Sequence, residues 1–198
     1  EFFYYICSMN TWFTSDTHFG HTNIAGPKVS RWKSGYRNFS SVQEMNETII
    51  KNINDCVKEN DTLYHLGDWC FGGKDNIMTL RNSIVCKNIH LILGNHDEHI
   101  EEDLEEYKKY FLSIRDSFKG YIGKTYFHLD HCAHRVWFKS HKGSIHLYGH
   151  SHGSIPDFGK SMDVGIDCHK EFRPFHINEI LQIMDKREVS KVDHHGDL

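Results

Sequence analysis

Short apolar runs in the first half of the chain end repeatedly in glycine, aspartate, asparagine or histidine. The runs cover residues 11–14, 62–66 and 89–93. Each is followed at once by polar residues, which are Ser15-Asp16, Gly67-Asp68 and Gly94-Asn95-His96-Asp97. Apolar runs of this length that stop at turn-forming residues are typical of buried β-strands. The pattern therefore predicts strands whose carboxyl-terminal ends are followed by polar side chains.

Helical periodicity separates these predicted strands. Ser41-Val42-Gln43-Glu44 has the sequence of a capping box, and apolar residues follow it at helical spacing. These apolar residues are Val42, Met45, Ile49, Ile53 and Val57. Two further helices are expected over residues 75–84 and 99–110. The second of them is acidic at its start and basic at its end, which suits the helix dipole.

The second half of the chain is predicted to be mainly strand. Strands are expected over residues 124–129, 144–148 and 162–166, and a last helix over residues 178–186 should begin at Asn178 as its N-cap. Strands that alternate with helices and then give way mostly to strands predict an α/β fold with two packed sheets. In such folds ligands gather at the carboxyl ends of the strands, where the polar clusters lie.

The composition is that of one globular domain. The chain has 198 residues, of which 38% are hydrophobic and 25% are charged, which is enough for a sizeable core. We expect the domain to cover residues 9–190, with an N-terminal extension over 1–8 and a polar tail over 191–198. The net charge of −4 provides no general basic surface, which argues against a long nucleic acid as partner.

The cysteines indicate a reducing compartment. Six are present and none forms a Cys-x-x-Cys pair, so neither a zinc ribbon nor a disulfide-bonded secreted scaffold is supported. The apolar start of the chain, residues 1–9, is too short to span a bilayer and lacks a basic leader. These features predict a cytoplasmic protein with no membrane contact, and the sequence indicates no obligate protein partner.

Metal-binding side chains concentrate at the predicted strand ends. Asp16 and His18 alternate after the first strand, and His150 and His152 alternate within a glycine-framed turn. Residues two apart in an extended segment share a face, so each pair can point to one edge of a sheet. One His-x-His motif among 17 histidines would have little weight alone. The full strand-end set comprises Asp16, His18, Asp68, Asn95, His96, Asp97, His131, His150 and His152.

This set is large enough to bind two metal ions if one aspartate bridges them. Oxygen and imidazole ligands without thiolate favour Mn, Fe or Zn. Two ions about 3.5–4 Å apart lower the pKa of a bridging water, clamp an in-line displacement and stabilise phosphoryl oxygens. Phosphoester hydrolysis requires an activated water, an in-line displacement and stabilised phosphoryl oxygens.

The order and spacing of these motifs over residues 10–170 resemble the calcineurin-like metallophosphoesterase superfamily. The resemblance implies a sandwich of two mixed β-sheets flanked by helices, with a di-metal site. It assigns one ion to Asp16, His18 and His152, the other to Asn95, His131 and His150, and the bridging position to Asp68. It also makes His96 the residue that contacts phosphate and protonates the leaving oxygen, with Asp97 holding the other ring nitrogen of His96.

Departures from the wider superfamily narrow the class of enzyme. Gly67-Asp68 is followed by Trp69-Cys70-Phe71, where the Ser/Thr protein phosphatases have an aspartate-arginine-glycine element, so protein phosphatase activity is not expected. The chain is most similar to small bacterial and phage-type phosphoesterases. Within that branch Asp163 and Asp167 are expected to be structural, holding the loop of His150 and His152.

Four further residues are candidates for contact with substrate. They are His21, Asn23, Arg37 and Arg135. The first two lie just beyond the first metal pair, and the two arginines have the geometry for forked hydrogen bonds to phosphate. The alternative is an ordinary role, namely loop stabilisation for the first two and a solvated charge or a structural ion pair for each arginine. The remaining histidines, including His65 within a predicted strand, are expected to be mostly structural or on the surface.

The sequence thus predicts an enzyme, a di-metal-dependent phosphoesterase that uses a metal-activated bridging hydroxide. The expected cofactors are two divalent ions, with Mn favoured and Zn, Fe or Ni as alternatives. The expected substrates are phosphodiesters such as nucleotides, cyclic nucleotides or nucleic-acid ends. A phosphomonoesterase, and a catalytically silent metal-binding or interaction protein of the same fold, are the alternative hypotheses.

Overall fold

Five strands form the larger sheet of the computed structural model, which describes residues 10–28 and 37–193. They are β1 (Thr11–Thr14), β2 (Thr62–His65), β3 (Asn88–Ile92), β4 (Ser113–Arg115) and β9 (Phe175–His176), in the spatial order β4-β3-β2-β1-β9. Strands β1 to β4 are parallel, whereas β9 is antiparallel to β1. The expected N-terminal extension, residues 1–8, and the end of the polar tail lie outside the described residues.

The smaller sheet has four strands. They are β5 (Ser117–Ile122), β6 (Thr125–Asp130), β7 (Ile145–Tyr148) and β8 (Ser161–Asp163), in the order β5-β6-β7-β8. Strands β5 and β6 form an antiparallel hairpin, and β6, β7 and β8 are parallel. Both sheets are therefore mixed, as the resemblance implied.

The described residues form six α-helices. They are α1 (Thr22–Ala25), α2 (Val42–Cys56), α3 (Gly73–Ser83), α4 (Glu98–Glu101), α5 (Leu104–Tyr107) and α6 (Ile177–Asp185). Ser41 is the N-cap of α2, as predicted, since its Oγ accepts a hydrogen bond from the backbone N–H of Glu44. The return contact of a capping box is displaced by one residue, because the carboxylate of Glu44 accepts from the backbone N–H of Ser40 instead of Ser41. In these parts of the chain no helix is both long and apolar enough to cross a membrane.

Two apolar layers hold these elements together. The layer that packs α2 and α3 against the larger sheet contains Met45, Ile49, Leu63, Ile77 and Ile89. The layer between the two sheets, which also covers α6, contains Phe13, Leu66, Phe127, Leu147 and Ile180. Burial of apolar surface on both sides of the larger sheet explains its short, nearly continuous apolar strands. The predicted α/β sandwich of two mixed sheets is confirmed.

Two helix predictions differ from the structure. The helix expected over residues 99–110 is divided into α4 and α5, because Asp103 leaves the helical region with φ −139° and ψ 56°. Helix α6 begins one residue before the predicted Asn178, and its N-cap is His176, whose ring accepts the backbone N–H of Asn178. Strands β4, β5 and β9 were not predicted, because they are short or lack a continuous apolar run.

Candidate metal centre

Left-handed backbone marks the loops at the ends of the strands. Among the described residues, seven other than glycine have positive φ, and five of them are predicted metal ligands. These five are Asp16 (56°), His18 (47°), Asp68 (57°), His150 (66°) and His152 (47°). Such conformations are uncommon for residues with a side chain, and they persist only where the surrounding structure holds them. Their concentration in one place marks a candidate functional site.

The first half-site consists of Asp16, His18 and His152. The Nε2 atoms of His18 and His152 lie 3.7 Å and 3.9 Å from Asp16 Oδ1. One ligand atom from each of the three residues lies within 4.8 Å of the other two. Asp16 Oδ1 and both ring nitrogens of His18 are buried and have no hydrogen-bond partner among the described residues. Because buried polar atoms are normally hydrogen-bonded, these atoms fit a bound cation.

The second half-site consists of Asp68, His131 and His150, with Asn95 beside them. His131 Nδ1 donates a hydrogen bond to the carbonyl oxygen of Leu66 at 2.7 Å, which turns Nε2 toward the centre. There Nε2 lies 3.0 Å from Asn95 Oδ1 and 3.5 Å from Asp68 Oδ2. His150 Nδ1 lies 2.8 Å from the same Asn95 oxygen. This grouping of oxygen and imidazole donors is also suited to a divalent metal ion.

Asp68 lies between the half-sites. Its Oδ2 is 3.4 Å from His18 Nε2 of the first half-site and 3.5 Å from His131 Nε2 of the second. Its Oδ1 accepts a hydrogen bond of 2.9 Å from the backbone N–H of His96. One carboxylate oxygen therefore faces both half-sites while the other fixes the loop of His96.

The titratable groups of the centre influence one another strongly. Burial raises the pKa of Asp68, but the neighbouring imidazoles of His131 and His18 outweigh it and hold the pKa well below its usual range. Burial lowers the pKa of His131, but the hydrogen bond and charge of Asp68 outweigh it and raise the pKa to about 9. Burial raises the pKa of Asp16 as well, and His18 and His152 reverse that effect. Both carboxylates are thus ionised at neutral pH, as metal ligands must be.

Residues 9–131 match the sequence profile of the calcineurin-like phosphoesterases. The chain belongs to this family. The family supports a phosphoric ester hydrolase, and its members are generally metal-dependent, in agreement with the two groups of ligands.

Two individual proteins are similar to this phosphoesterase. An uncharacterized protein of Methanocaldococcus jannaschii is 34% identical over 144 residues, which are 67% of this chain and 77% of the relative. The crystal structure of a protein of unknown function from Aquifex aeolicus superposes with a TM-score of 0.60 at 22% identity, covering 87% of this chain and 98% of that chain. The second likeness shows the fold alone.

Arg37 of the phosphoesterase does not have the predicted role of a substrate-binding residue. Its Nε and Nη2 atoms form a forked ion pair with Asp167 at 2.7 Å and 3.0 Å, and the guanidinium also donates to the backbone oxygens of Asp16 and Thr17. The side chain is fully buried. The prediction of a phosphate contact is therefore wrong, and the structural alternative, an ion pair, is correct.

Asp167 connects this arginine to the first half-site. Its Oδ2 lies 2.5 Å from His152 Nδ1, so the opposite ring nitrogen, Nε2, faces Asp16. Burial raises the pKa of Asp167, but Arg37 and His152 outweigh it and lower the pKa to about 2. Asp163 accepts hydrogen bonds from the backbones of Gly153 and Gly165. The expectation that both aspartates support the loop of His152 is confirmed.

Asp97 also differs from its prediction. Its buried carboxylate accepts hydrogen bonds from the backbone N–H groups of Asp68, Trp69 and Gly94 at 2.8, 2.9 and 2.9 Å. Among the described residues no hydrogen bond joins it to the ring of His96. Burial raises the pKa of Asp97 to about 6, against the lowering effect of these hydrogen bonds. Asp97 therefore ties together the loops after β2 and β3 and does not orient His96.

His96 and His21 lie beside the centre with Phe71. His96 is exposed, and the centre of its ring is 5.6 Å from that of His18 and 5.1 Å from that of Phe71. His21 stacks on Phe71 at 4.1 Å, and its ring is 5.5 Å from that of His18. Burial lowers the pKa of His21 to about 4, so this ring is neutral at physiological pH. Both imidazoles therefore lie beside His18 of the first half-site.

Two other predicted substrate contacts remain predictions. Asn23 is half-buried on α1, two residues after His21. Arg135 is exposed, and its guanidinium lies over the ring of Phe158 at 5.0 Å. His65, by contrast, is fully buried, as expected of a core histidine, and its Nε2 forms a hydrogen bond of 2.9 Å with Thr17 Oγ1. Its Nδ1 has no hydrogen-bond partner among the described residues.

Two glycines allow the loops to approach closely enough to build the centre. A Cβ atom on Gly149 would lie 2.0 Å from Ser15 Oγ and 2.4 Å from Asp16 Oδ2. A Cβ atom on Gly94 would lie 2.3 Å from Asp68 Oδ1. Both distances are far shorter than van der Waals contact, so a larger residue at either position would displace a ligand-bearing loop.

Proposed function

We propose that this calcineurin-like phosphoesterase hydrolyses phosphodiesters with the help of two divalent metal ions. The observation that supports this most directly is the position of Asp68 Oδ2, which lies within 3.5 Å of one histidine from each half-site. We propose Mn²⁺ as the favoured ion, with Zn²⁺, Fe²⁺ and Ni²⁺ as alternatives that the same oxygen and imidazole ligands accept. Nucleotides, cyclic nucleotides and nucleic-acid ends are the proposed substrates.

The residues present fit this cofactor. Asp16, His18 and His152 would hold one ion, Asn95, His131 and His150 the other, and Asp68 would be shared. When bound, such a pair of ions lowers the pKa of a water held between them and offsets negative charge on the phosphoryl oxygens. The polar contacts of Asp167 with His152, and of the Leu66 carbonyl with His131, fix which ring nitrogen of each ligand is available.

His96 is the proposed general acid. Its backbone is held by Asp68 Oδ1 at 2.9 Å, and its exposed ring lies beside those of His18 and Phe71. A protonated imidazole at this position can donate its proton to the oxygen that leaves phosphorus. His21, kept neutral by burial, can donate a hydrogen bond to a phosphoryl oxygen without adding a positive charge.

The environment of Arg37 supports a diester substrate over a monoester. A phosphomonoester bears up to two negative charges at neutral pH, and forked arginine contacts are a common way to neutralise them. Arg37 is fully engaged with Asp167 and two backbone oxygens, so its charge is not available to the substrate. A diester bears a single negative charge, so the site needs less positive charge to bind it.

We further propose that the protein works in a reducing compartment such as the cytoplasm. The five cysteines in the described parts of the chain, Cys56, Cys70, Cys86, Cys132 and Cys168, are free. Free thiols are typical of proteins that fold where glutathione keeps them reduced.

The test is turnover of matched substrates by protein loaded with Mn²⁺ or Zn²⁺. We expect a higher kcat/KM with bis(p-nitrophenyl) phosphate than with p-nitrophenyl phosphate, and hydrolysis of at least one member of a panel of linear and cyclic nucleotides. Chelator-treated protein is the control for metal dependence. A preference for the monoester would identify a phosphomonoesterase, and no turnover with any substrate or metal would identify a binding protein of this fold.

A further inference from the structure

A second cluster of imidazoles lies on the outer face of the smaller sheet, separate from the metal centre. His128 and Asp130 share one face of β6 because they are two residues apart, while Phe127 and Leu129 between and beside them pack into the core between the sheets. His134 lies in the segment that follows β6, and His146 on β7 is the register partner of His128. The sequence predicts only a structural or surface role for these three histidines.

His128 is the unusual member of this cluster. It is only 3% exposed, yet neither of its ring nitrogens has a hydrogen-bond partner among the described residues. Buried polar atoms nearly always have a partner, so two unpartnered nitrogens on one ring indicate that something else binds there. Burial, with a smaller contribution from His134, lowers the pKa of His128 to about 4. The ring is therefore neutral and has a lone pair to offer.

The neighbouring side chains have the separations of a metal site. Asp130 Oδ2 lies 3.4 Å from His134 Nε2 and 4.0 Å from His128 Nε2. Around a tetrahedral zinc ion with bonds of about 2.0–2.1 Å, ligand atoms are about 3.4 Å apart. One of the three pairs already has this separation, and the other two, which lie within 4.8 Å, need a small movement of a side chain. The remaining oxygen, Asp130 Oδ1, accepts the backbone N–H of Cys132 at 3.1 Å, which fixes the carboxylate.

His146 holds the backbone of two of these residues in place. Its Nε2 accepts a hydrogen bond from the backbone N–H of His134 at 3.1 Å, and its Nδ1 donates one to the backbone oxygen of His128 at 3.1 Å. Both of its nitrogens are thereby used, so His146 is a positioning residue and is not itself a candidate ligand. Such outer contacts are the usual means of keeping metal ligands in position before the ion arrives.

We propose that His128, Asp130 and His134 form a separate Zn²⁺ site, with two imidazoles, one carboxylate and a water from solvent as ligands. One ligand atom from each residue already lies within 4.8 Å of the other two. The side chains of His134 and Asp130 are 35% and 22% exposed, so the fourth position opens to water. Lys119 lies opposite His128 on β5, but it is exposed and its ammonium group can remain in solvent. The ion would fasten the segment after β6, which includes His131 of the metal centre, to the sheet.

The test is a count of zinc ions per chain. Wild-type protein, His134→Gln, Asp130→Asn and the control His141→Gln are loaded with Zn²⁺, desalted and analysed by inductively coupled plasma mass spectrometry. We expect His134→Gln and Asp130→Asn to bind one zinc ion fewer than wild type and His141→Gln. Because the result is a difference, it does not depend on how many ions the main centre takes up. Equal counts in all four proteins would overturn the proposal.

A second measurement needs no variant and so does not depend on how a variant folds. The ring nitrogens of ¹⁵N-histidine-labelled wild-type protein are observed by long-range ¹H–¹⁵N NMR during titration with Zn²⁺. We expect one ring nitrogen of His128 and one of His134 to shift as metal-bound nitrogens do, while His146 keeps its Nδ1–H form. Unchanged ring signals of His128 at saturating Zn²⁺ would contradict the proposal.

Discussion

The two half-sites of the metal centre are built differently. In the first, the side chains of Asp16, His18 and His152 are 0%, 3% and 14% exposed. In the second, Asp68 and His131 are buried but His150 and Asn95 are exposed. Catalytic metal sites differ from structural ones in keeping a position open to water or substrate. The first half-site is therefore the more enclosed of the two, and the second is the more open to solvent.

The hydrogen bonds that hold the histidine ligands in place are also stronger in the first half-site. His152 is held by the ionised carboxylate of Asp167, which is in turn held by the buried guanidinium of Arg37. His150 has instead a neutral partner, the side-chain oxygen of Asn95, and a backbone hydrogen bond to Asp16 Oδ2. Charge-assisted hydrogen bonds are about twice as strong as neutral ones. We therefore expect the first half-site to bind its ion more tightly, and the predictions below test this difference.

The largest effect is expected from Asp68→Asn, because Asp68 is the residue that both half-sites share. The variant should no longer bind metal ions tightly at either half-site. Turnover should fall by about 10⁴-fold or more, which is at least as much as the loss of a general acid costs. Metal content and kcat are the measurements. The matched control is Asp61→Asn. Asp61 is also a buried carboxylate, and it accepts hydrogen bonds from the ring of Trp12 and the backbone of Lys58. Two tightly held ions in Asp68→Asn would exclude the bridging role.

His96→Ala should lower turnover without loss of metal. The expected decrease in kcat is about 10²–10⁴-fold with a substrate that has a poor leaving group. With a p-nitrophenyl ester the decrease should be smaller, because p-nitrophenolate leaves without being protonated. His99→Ala on α4 controls for the loss of a nearby histidine. Equal decreases for good and poor leaving groups would show that His96 does not act as an acid.

Arg37→Lys should weaken the first half-site selectively. Lysine cannot reproduce the forked pair with Asp167, so the support of His152 is loosened and the affinity for one ion should fall by about 10–100-fold. Metal titration should show one weakened and one unchanged ion. Arg173→Lys, which disrupts a forked pair with Glu179 elsewhere, should leave both affinities unchanged. Equal weakening of both ions would remove the distinction between the half-sites.

In metal-free protein, Asp167 and His131 should contribute to stability with opposite dependences on pH. The pKa of Asp167 is lowered to about 2, so its stabilisation is present above about pH 4 and is lost as the pH falls toward 2; it amounts to roughly 2 kcal/mol. The pKa of His131 is raised to about 9, so its stabilisation is present below about pH 6.5 and is lost as the pH rises toward 9. Thermal unfolding of chelated protein across this pH range measures both.

Two variants test these pH effects. Asp167→Asn should flatten the acid side of the plot of Tm against pH, where the wild type is expected to lose several degrees, and should have a smaller effect on the alkaline side, because Asp167 also raises the pKa of His152. His131→Gln should flatten the alkaline side and have a smaller effect on the acid side, because His131 also holds the pKa of Asp68 low. If the acid side were unchanged in Asp167→Asn, the ion pair with Arg37 would not be the source of the stabilisation.

Much of the fold followed from local pattern. Strands β1, β2 and β3 coincide with apolar runs, and α2 begins at its predicted N-cap, Ser41. Burial on both sides of a sheet, or along one side of a helix, imposes such a period on the chain. The strands that were missed have two to six residues and no continuous apolar run. Their position depends on pairing with distant strands, and a local pattern does not contain that information.

The candidate ligands were predicted from the order of their motifs, whereas the roles of Arg37 and Asp97 were not. Arg37 and Asp167 are 130 residues apart, and no property of either residue names the other as its partner. The sequence around an arginine does not show whether its side chain is buried in an ion pair or binds phosphate. Likewise, Asp97 next to His96 suggested a contact between neighbours, while the structure directs its carboxylate to three backbone N–H groups.

The sequence by itself determined strands β1, β2 and β3, helix α2, the residue types that stand at the ends of the strands, and the family to which those motifs belong. Only the tertiary structure decided which oxygen faces which imidazole, which arginine is already neutralised, and that the ring nitrogens of His128 are buried with no hydrogen-bond partner among the described residues. The physical reason is the distance along the chain over which each interaction acts. Periodicity and capping act over a few residues, but partners for buried charges and polar atoms are chosen across the whole chain when the sheets pack.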